Sequence, residues 1–116
     1  MSKGSNFESP YISVVIGAHN RREFILEAVN SVINQTLERS KYEIIVVKNY
    51  EDEGIDKFLT ENGVINIRTD EVSLGSKIAR GILESKGEIL CFLEDDDLFL
   101  PEKLNEIYNI FHKKID

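Results

Sequence analysis

With one cysteine among 116 residues, no intramolecular disulfide framework is available, so packing and hydrogen bonds must hold the fold. That cysteine, Cys91, sits inside Ile89-Leu90-Cys91-Phe92-Leu93, a setting that predicts a small buried hydrophobe instead of a reactive thiol. Lys/Arg blocks are missing too, and the formal net charge is −7, which argues against nucleic acid as a partner because a polyanion meets general repulsion. A small anionic ligand remains compatible with this charge, since a helix N-terminus, one Arg or a bound metal reverses the local potential. Met1 to Pro10 have no apolar stretch of the kind a signal peptide or membrane anchor needs; the expectation is a flexible tail over 1–10, no transmembrane segment and a cytoplasmic location. No internal repeat, low-complexity tract or interior linker is visible, so one domain over 11–116 is expected. The apolar share of 41% and charged share of 30% are those of a chain with a packed core.

Three short runs are nearly continuous in apolar residues: Ile12 to Ile16, Ile44 to Val47 and Ile89 to Leu93. Such runs predict strands covered on both faces by helices. A weaker strand candidate is Val64 to Arg68. Between them lie helical patterns. Ile25, Ala28, Val29, Val32 and Ile33 fall at i, i+3, i+4, i+7 and i+8, and Asn20 with Glu23 resembles a capping box, so a helix is expected to start just after Asn20. A second helix is expected from about Ile55 to Glu61, ended by Asn62-Gly63. A third runs from about Gly75 to Ser85, with Ile78, Ile82 and Leu83 inward, and the last begins at Pro101 with Leu104, Ile107, Tyr108, Phe111 and Ile115 on one face. Strands alternating with helices call for parallel pairing and right-handed crossovers, hence an α/β fold: a three-layer α/β/α sandwich with a mainly parallel sheet.

In open parallel sheets, ligands bind beyond the carboxyl ends of the strands. The residues there are Gly17-Ala18-His19-Asn20-Arg21, Lys48-Asn49-Tyr50-Glu51-Asp52, Thr69-Asp70-Glu71 and Glu94-Asp95-Asp96-Asp97. Four adjacent carboxylates repel one another, and a hard divalent ion, Mn²⁺ or Mg²⁺, relieves that repulsion while also taking phosphate oxygens. A solvated acidic loop before a helix is the plainer reading of the same run. Its place after a strand, and before the apolar Leu98-Phe99-Leu100-Pro101 that is expected to hold the loop against the core, favours the ligand site.

The chain resembles the family 2 inverting glycosyltransferases, whose fold is called GT-A and whose first half is a Rossmann-like nucleotide-binding unit. Ser13-Val14-Val15-Ile16-Gly17-Ala18-His19-Asn20-Arg21 and Ser31-Val32-Ile33-Asn34-Gln35-Thr36 are similar to the family's opening strand and following helix, in register. Glu43 to Glu51 matches the segment that usually reads E-I-I-V-V-D-D-G-S, Ser73 to Arg80 matches N-x-G-x-x-x-A-R, and Lys86 to Pro101 matches the metal strand and its acidic loop. The resemblance covers roughly residues 11 to 112. It implies that Asp96 and Asp97 belong to a metal and ribose-diphosphate site, with Asp97 the direct ligand. It further implies donor contacts from Ala18, His19, Asn20, Lys48, Asn49, Gly75 and Arg80. The implied ligand is a nucleotide diphosphate sugar of UDP or GDP type, with Mn²⁺ or Mg²⁺ as cofactor.

The departures bear on what is bound. Lys48 or Asn49 stands where the family usually has an Asp that reads the base; Lys48 cannot accept a hydrogen bond, whereas Asn49 can. Gly17 replaces a customary Pro, Glu94 an Asp, and His19 an aromatic; His19 is either a loop histidine or a stacking contact, and Arg80 either a solvent-facing cation or a diphosphate contact. Such enzymes normally continue for a hundred or more residues that supply the acceptor pocket and a catalytic base, so the base is expected outside this chain, and the isolated 116 residues are expected to transfer no sugar and to expose apolar surface that favours a homodimer. Two rival readings are a non-catalytic module that retains the fold and a phospho-acceptor receiver domain; the second lacks its acidic pair, since His19-Asn20 follows the first strand.

Overall fold

The computed structural model describes residues 11–18 and 22–115, with side chains to 112. Eight elements alternate along the chain: β1 (Ile12–Ala18), α1 (Arg22–Ile33), β2 (Tyr42–Lys48), α2 (Glu53–Glu61), β3 (Ile65–Arg68), α3 (Leu74–Glu84), β4 (Ile89–Glu94) and α4 (Lys103–Ile115), with a single 3₁₀ turn at Arg39–Lys41 ahead of β2. The described strands form one parallel sheet in the order β3-β2-β1-β4. This is the expected α/β sandwich. Growing outward from β1 to β3 and then returning to β4 places α1 and α2 on one face and α3 on the other.

Side chains alternate across the sheet, as a pleat requires. Ile12, Val14, Ile16 and Ala18 of β1 join Ile44 and Val46 of β2 on the first face, under Ile25, Ala28, Val29 and Val32 of α1, Ile55 and Leu59 of α2, and Leu104 of α4. On the second face Val15, Ile45 and Val47 meet Ile65 and Ile67, and α3 lies over β1 and β2. Local chemistry sets the helix starts: Asp52 caps α2 by accepting from Ile55 N, and Ser73 caps α3 by accepting from Ser76 N. Gly63, at φ 69°, ends α2 in the left-handed conformation that follows many helices.

Two expectations about packing are corrected. The strand at Ile89 to Leu93 is not covered on both faces: β4 lies at the sheet edge, Cys91 is only partly buried against the first-face core, and Phe92 on the other face is 46% exposed. Its apolar run belongs to an edge strand whose second face stays partly open. In α3, Ile82 and Leu83 do not turn inward; Leu83 is 80% exposed, and the buried residues are Lys77 and Gly81. The reason is steric. A Cβ on Gly81 would run into the Val15 side chain and crowd Val47, so the helix approaches the sheet along its smallest residue. The capping box at Asn20 and the tail over 1–10 lie outside the described residues.

Candidate active site at the carboxyl edge of the sheet

Strand register brings the ends of β1, β2 and β4 side by side: Ala18 opposes Lys48, and Gly17 opposes both Val47 and Glu94. The expected site segments therefore converge on one edge, apart from His19, Asn20 and Arg21, which lie outside the described residues. Ala18 is buried at the end of β1, and Asn49 is partly buried just past β2.

Lys48 ends β2 with its side chain turned into the protein. It is 1% exposed, and its ammonium ion-pairs with Asp56 Oδ1 at 2.6 Å and donates to Tyr50 O at 3.0 Å. Burying a lone ammonium is costly, so the chain supplies it with a carboxylate from α2, and the lysine faces the protein. Asp56 is itself held below its ordinary value of 3.8: burial pushes the carboxyl up, but hydrogen bonds from Lys48 and Asn66 and the Lys48 charge overcome it.

Tyr50 fills the space beside this pair. It is 6% exposed, the Arg22 guanidinium lies 4.4 Å above its ring, and Arg22 also pairs with Asp52 at 3.3 Å. The Tyr50 hydroxyl is buried without a hydrogen-bond partner among the described residues, and burial, followed by the nearby charge of Asp95, pushes its pKa up to about 12.

The acidic loop divides its four carboxylates between interior and solvent. Asp95 is 2% exposed, whereas Glu94, Asp96 and Asp97 are exposed, and Asp97 N closes a turn onto Glu94 O at 3.0 Å. No three His, Cys, Asp or Glu side chains among the described residues converge as a complete metal shell. Asp96 and Asp97 nonetheless fit an ion of the Mg²⁺ type, which takes one or two carboxylates and completes its shell with phosphate and water.

The segment after this loop is clamped by α1 and the residues that follow it. Ser31 Oγ accepts from Phe99 N, Gln35 Nε2 donates to Leu100 O at 2.7 Å, Leu104 N donates to Gln35 Oε1 at 2.8 Å, and Thr36 N donates to Pro101 O at 2.9 Å. Leu98 and Leu100 are exposed, so backbone hydrogen bonds and the Phe99 ring hold the loop, not the whole apolar segment as expected. Ser31, Gln35 and Thr36 were legible as a motif, but this use of them was not.

Gly75 lies in the first turn of α3, and a Cβ built on it would meet nothing within 4 Å. The fold itself therefore leaves room for a side chain here. Arg80 is exposed on α3 beside Gly81, level with Val15 and about 9 Å along the helix axis from Leu74, so its backbone is not at the mouth with the others. Sequence reasoning missed Lys77 and Asp95. The signal available was the i, i+4 spacing of Lys77 and Gly81, which the more apolar Ile78–Ile82 pair outweighed.

A parallel three-layer sandwich with an exposed carboxylate pair beyond its edge strand defines an α/β protein of the Rossmann-like class. Residues 13–115 match the sequence pattern of Glycosyl transferase family 2, and the chain belongs to that family. Its relatives include glycosyltransferase AglE of Haloferax volcanii, 38% identical over 93 residues that cover 75% of this chain and 31% of that protein. Among solved structures, S. aureus TarS 1-349 in complex with UDP-GlcNAc superposes with a TM-score of 0.79 at 20% identity, covering 89% of this chain and 31% of that one. The Pyrobaculum calidifontis mannosyltransferase PcManGT, in complex with GDP-Man and Mn²⁺, superposes with a TM-score of 0.70 at 17% identity, over 89% and 32% of the two chains. The fold is thus GT-A, and the chain spans about a third of the length of these proteins.

Proposed function

We propose that this chain is the donor-binding part of a metal-dependent, inverting glycosyltransferase that takes a nucleoside diphosphate sugar of UDP or GDP type. The observation that carries the reading is the split of the acidic loop: Asp95 is buried while Asp96 and Asp97 are exposed just beyond the end of β4. Asp97 is the proposed direct ligand of Mn²⁺ or Mg²⁺, and Asp96 is shared between metal and ribose-diphosphate. When bound, the ion neutralises the diphosphate leaving group. The open Gly75 is proposed to let the diphosphate approach the start of α3, where the helix N-terminus favours an anion. Arg80 is the proposed cation for the same diphosphate, reaching from its exposed position. Ala18, Asn49 and the His19-Asn20 segment are proposed to frame the nucleoside, with Asn49 offering the acceptor that Lys48 cannot. Ordered single displacement needs a base within hydrogen-bond reach of the acceptor hydroxyl. None of the mouth carboxylates Asp70, Glu71 and Glu94 is assigned that role. A cytoplasmic location is part of the proposal; among the described residues, no helix is long and apolar enough to cross a membrane.

The commitment of Lys48 to Asp56 favours a second reading, a module that retains the fold without donor use. Titrating the chain with UDP and with GDP in the presence of Mn²⁺ separates the two. Saturable binding that Asp97→Asn weakens supports the donor site, whereas no binding of either nucleotide supports the module.

A further inference from the structure

The acidic loop is short and tied at both ends. Its entrance is fixed by the sheet, where Glu94 opposes Gly17 of β1. Its exit is fixed by α1: Phe99 N donates to Ser31 Oγ at 3.0 Å, which leaves only Asp95, Asp96, Asp97 and Leu98 between the two anchors. Gln35, just past the end of α1, grips the next stretch with both ends of its amide. Nε2 donates to Leu100 O at 2.7 Å and to Ser31 O at 3.0 Å, and Oε1 accepts from Leu104 N at 2.8 Å. A buried amide is costly unless it is bonded, and this one, in a residue 8% exposed, has both its protons and its oxygen engaged. Apolar contact cannot replace it along the loop exit, since Leu98 and Leu100 are 64% and 78% exposed. The helix that carries the grip is itself seated on the sheet through Ile25, Ala28, Val29 and Val32. The proposed function gives Gln35 no task.

We propose that Gln35 is a positioning residue for the acidic loop: its amide holds Leu100 O and Leu104 N against the end of α1 and so fixes where Asp96 and Asp97 stand beyond β4. Without the amide, Leu100 O and the buried Leu104 N lose their side-chain partner, and the stretch from Phe99 onward shifts toward water. Asp95 to Leu98 are too few residues to absorb that shift, so the Asp97 N to Glu94 O turn opens. The main-chain bond from Thr36 N to Pro101 O survives substitution at position 35 and keeps the start of α4 near α1. The inference rests on the donor-site reading only for what the loop binds. Its test uses no ligand, so a failure of nucleotide binding counts against that reading alone.

Amide hydrogen exchange and ¹H–¹⁵N resonances are followed in the full chain for Gln35→Met, which keeps the length of the side chain and removes its hydrogen bonds. Exchange is expected to speed about tenfold or more at both Leu104 and Asp97, with Ile44 to Val47 staying protected. A role confined to docking α4 would loosen Leu104 and leave Asp97 as in the wild type; that result would overturn the proposal, as would loosening spread evenly over the strands. Should Gln35→Met fail to fold, Gln35→Glu carries the test. Its protonated carboxyl still donates to Leu100 O and its carboxylate does not, while either form accepts from Leu104 N. Ionisation of the introduced carboxyl, followed by its ¹³C resonance and expected above about pH 5 because the site is buried, should then lower the protection of Asp97 and not that of Leu104. Asp97 protection that stays level through that ionisation would contradict the proposal.

Discussion

Cys91 shows how one residue's environment decides its chemistry. It packs partly buried against the first-face core, and burial pushes its thiol pKa up, with Lys103 opposing weakly from α4. The thiolate is the reactive form, so alkylation at neutral pH is expected to be at least about tenfold slower in the native chain than in denaturant. Rate measurements with a thiol reagent check this; equal rates would mean that β4 is not docked. Lys48 makes the complementary point. Its position in a family signature suggested a ligand contact, yet Asp56, eight residues on and in the next helix, claims its charge. A motif fixes a residue's place along the strand, while the partner that decides its orientation comes from another element and is not written at that position.

At the scale of elements, the spacing of α3 against the sheet depends on Gly81. The Val15 methyl groups are β-branched and fixed, so they cannot give way as a flexible side chain end would. Gly81→Ala is therefore expected to destabilise the fold by about 1–3 kcal/mol through overpacking, despite the better helix propensity of Ala. Urea denaturation checks it, and an unchanged or raised midpoint would show that α3 slides freely. Strand and helix positions were legible because apolar runs and 3.6-residue spacing are local signals. What escaped was the coverage of β4 and the face of α3. Leu90 and Phe92 read as core by composition, but burial requires an opposing layer, and α3 is seated over β1 and β2 instead. The carboxylate run was equally legible as a loop beyond β4, whereas the inward turn of Asp95 rests on tertiary packing that no local pattern encodes.

Across the whole molecule, charge links stability to pH through Asp56. Its folded value lies below its unfolded one, so its contribution is complete above the ordinary carboxylate range and is lost as pH falls through the folded value. The stability gap between wild type and Asp56→Asn is expected to close between about pH 6 and about pH 2. Denaturation curves across that range check it, and a pH-independent gap would count against the ion pair. The open apolar surface of Leu83, Leu90 and Phe92 leads to a further expectation, concentration-dependent self-association of this chain. Light scattering at increasing concentration tests it; a constant monomer mass would oppose it. The central claim is that two exposed carboxylates and a nucleoside diphosphate together hold one metal ion. Its most direct measurement is calorimetry of Mn²⁺ binding with and without UDP or GDP. The account predicts weak metal binding alone, at least about tenfold tighter binding with the matching nucleotide, and loss of that gain in Asp97→Asn. Equal Mn²⁺ affinity with and without either nucleotide, or an unchanged gain in Asp97→Asn, would contradict it.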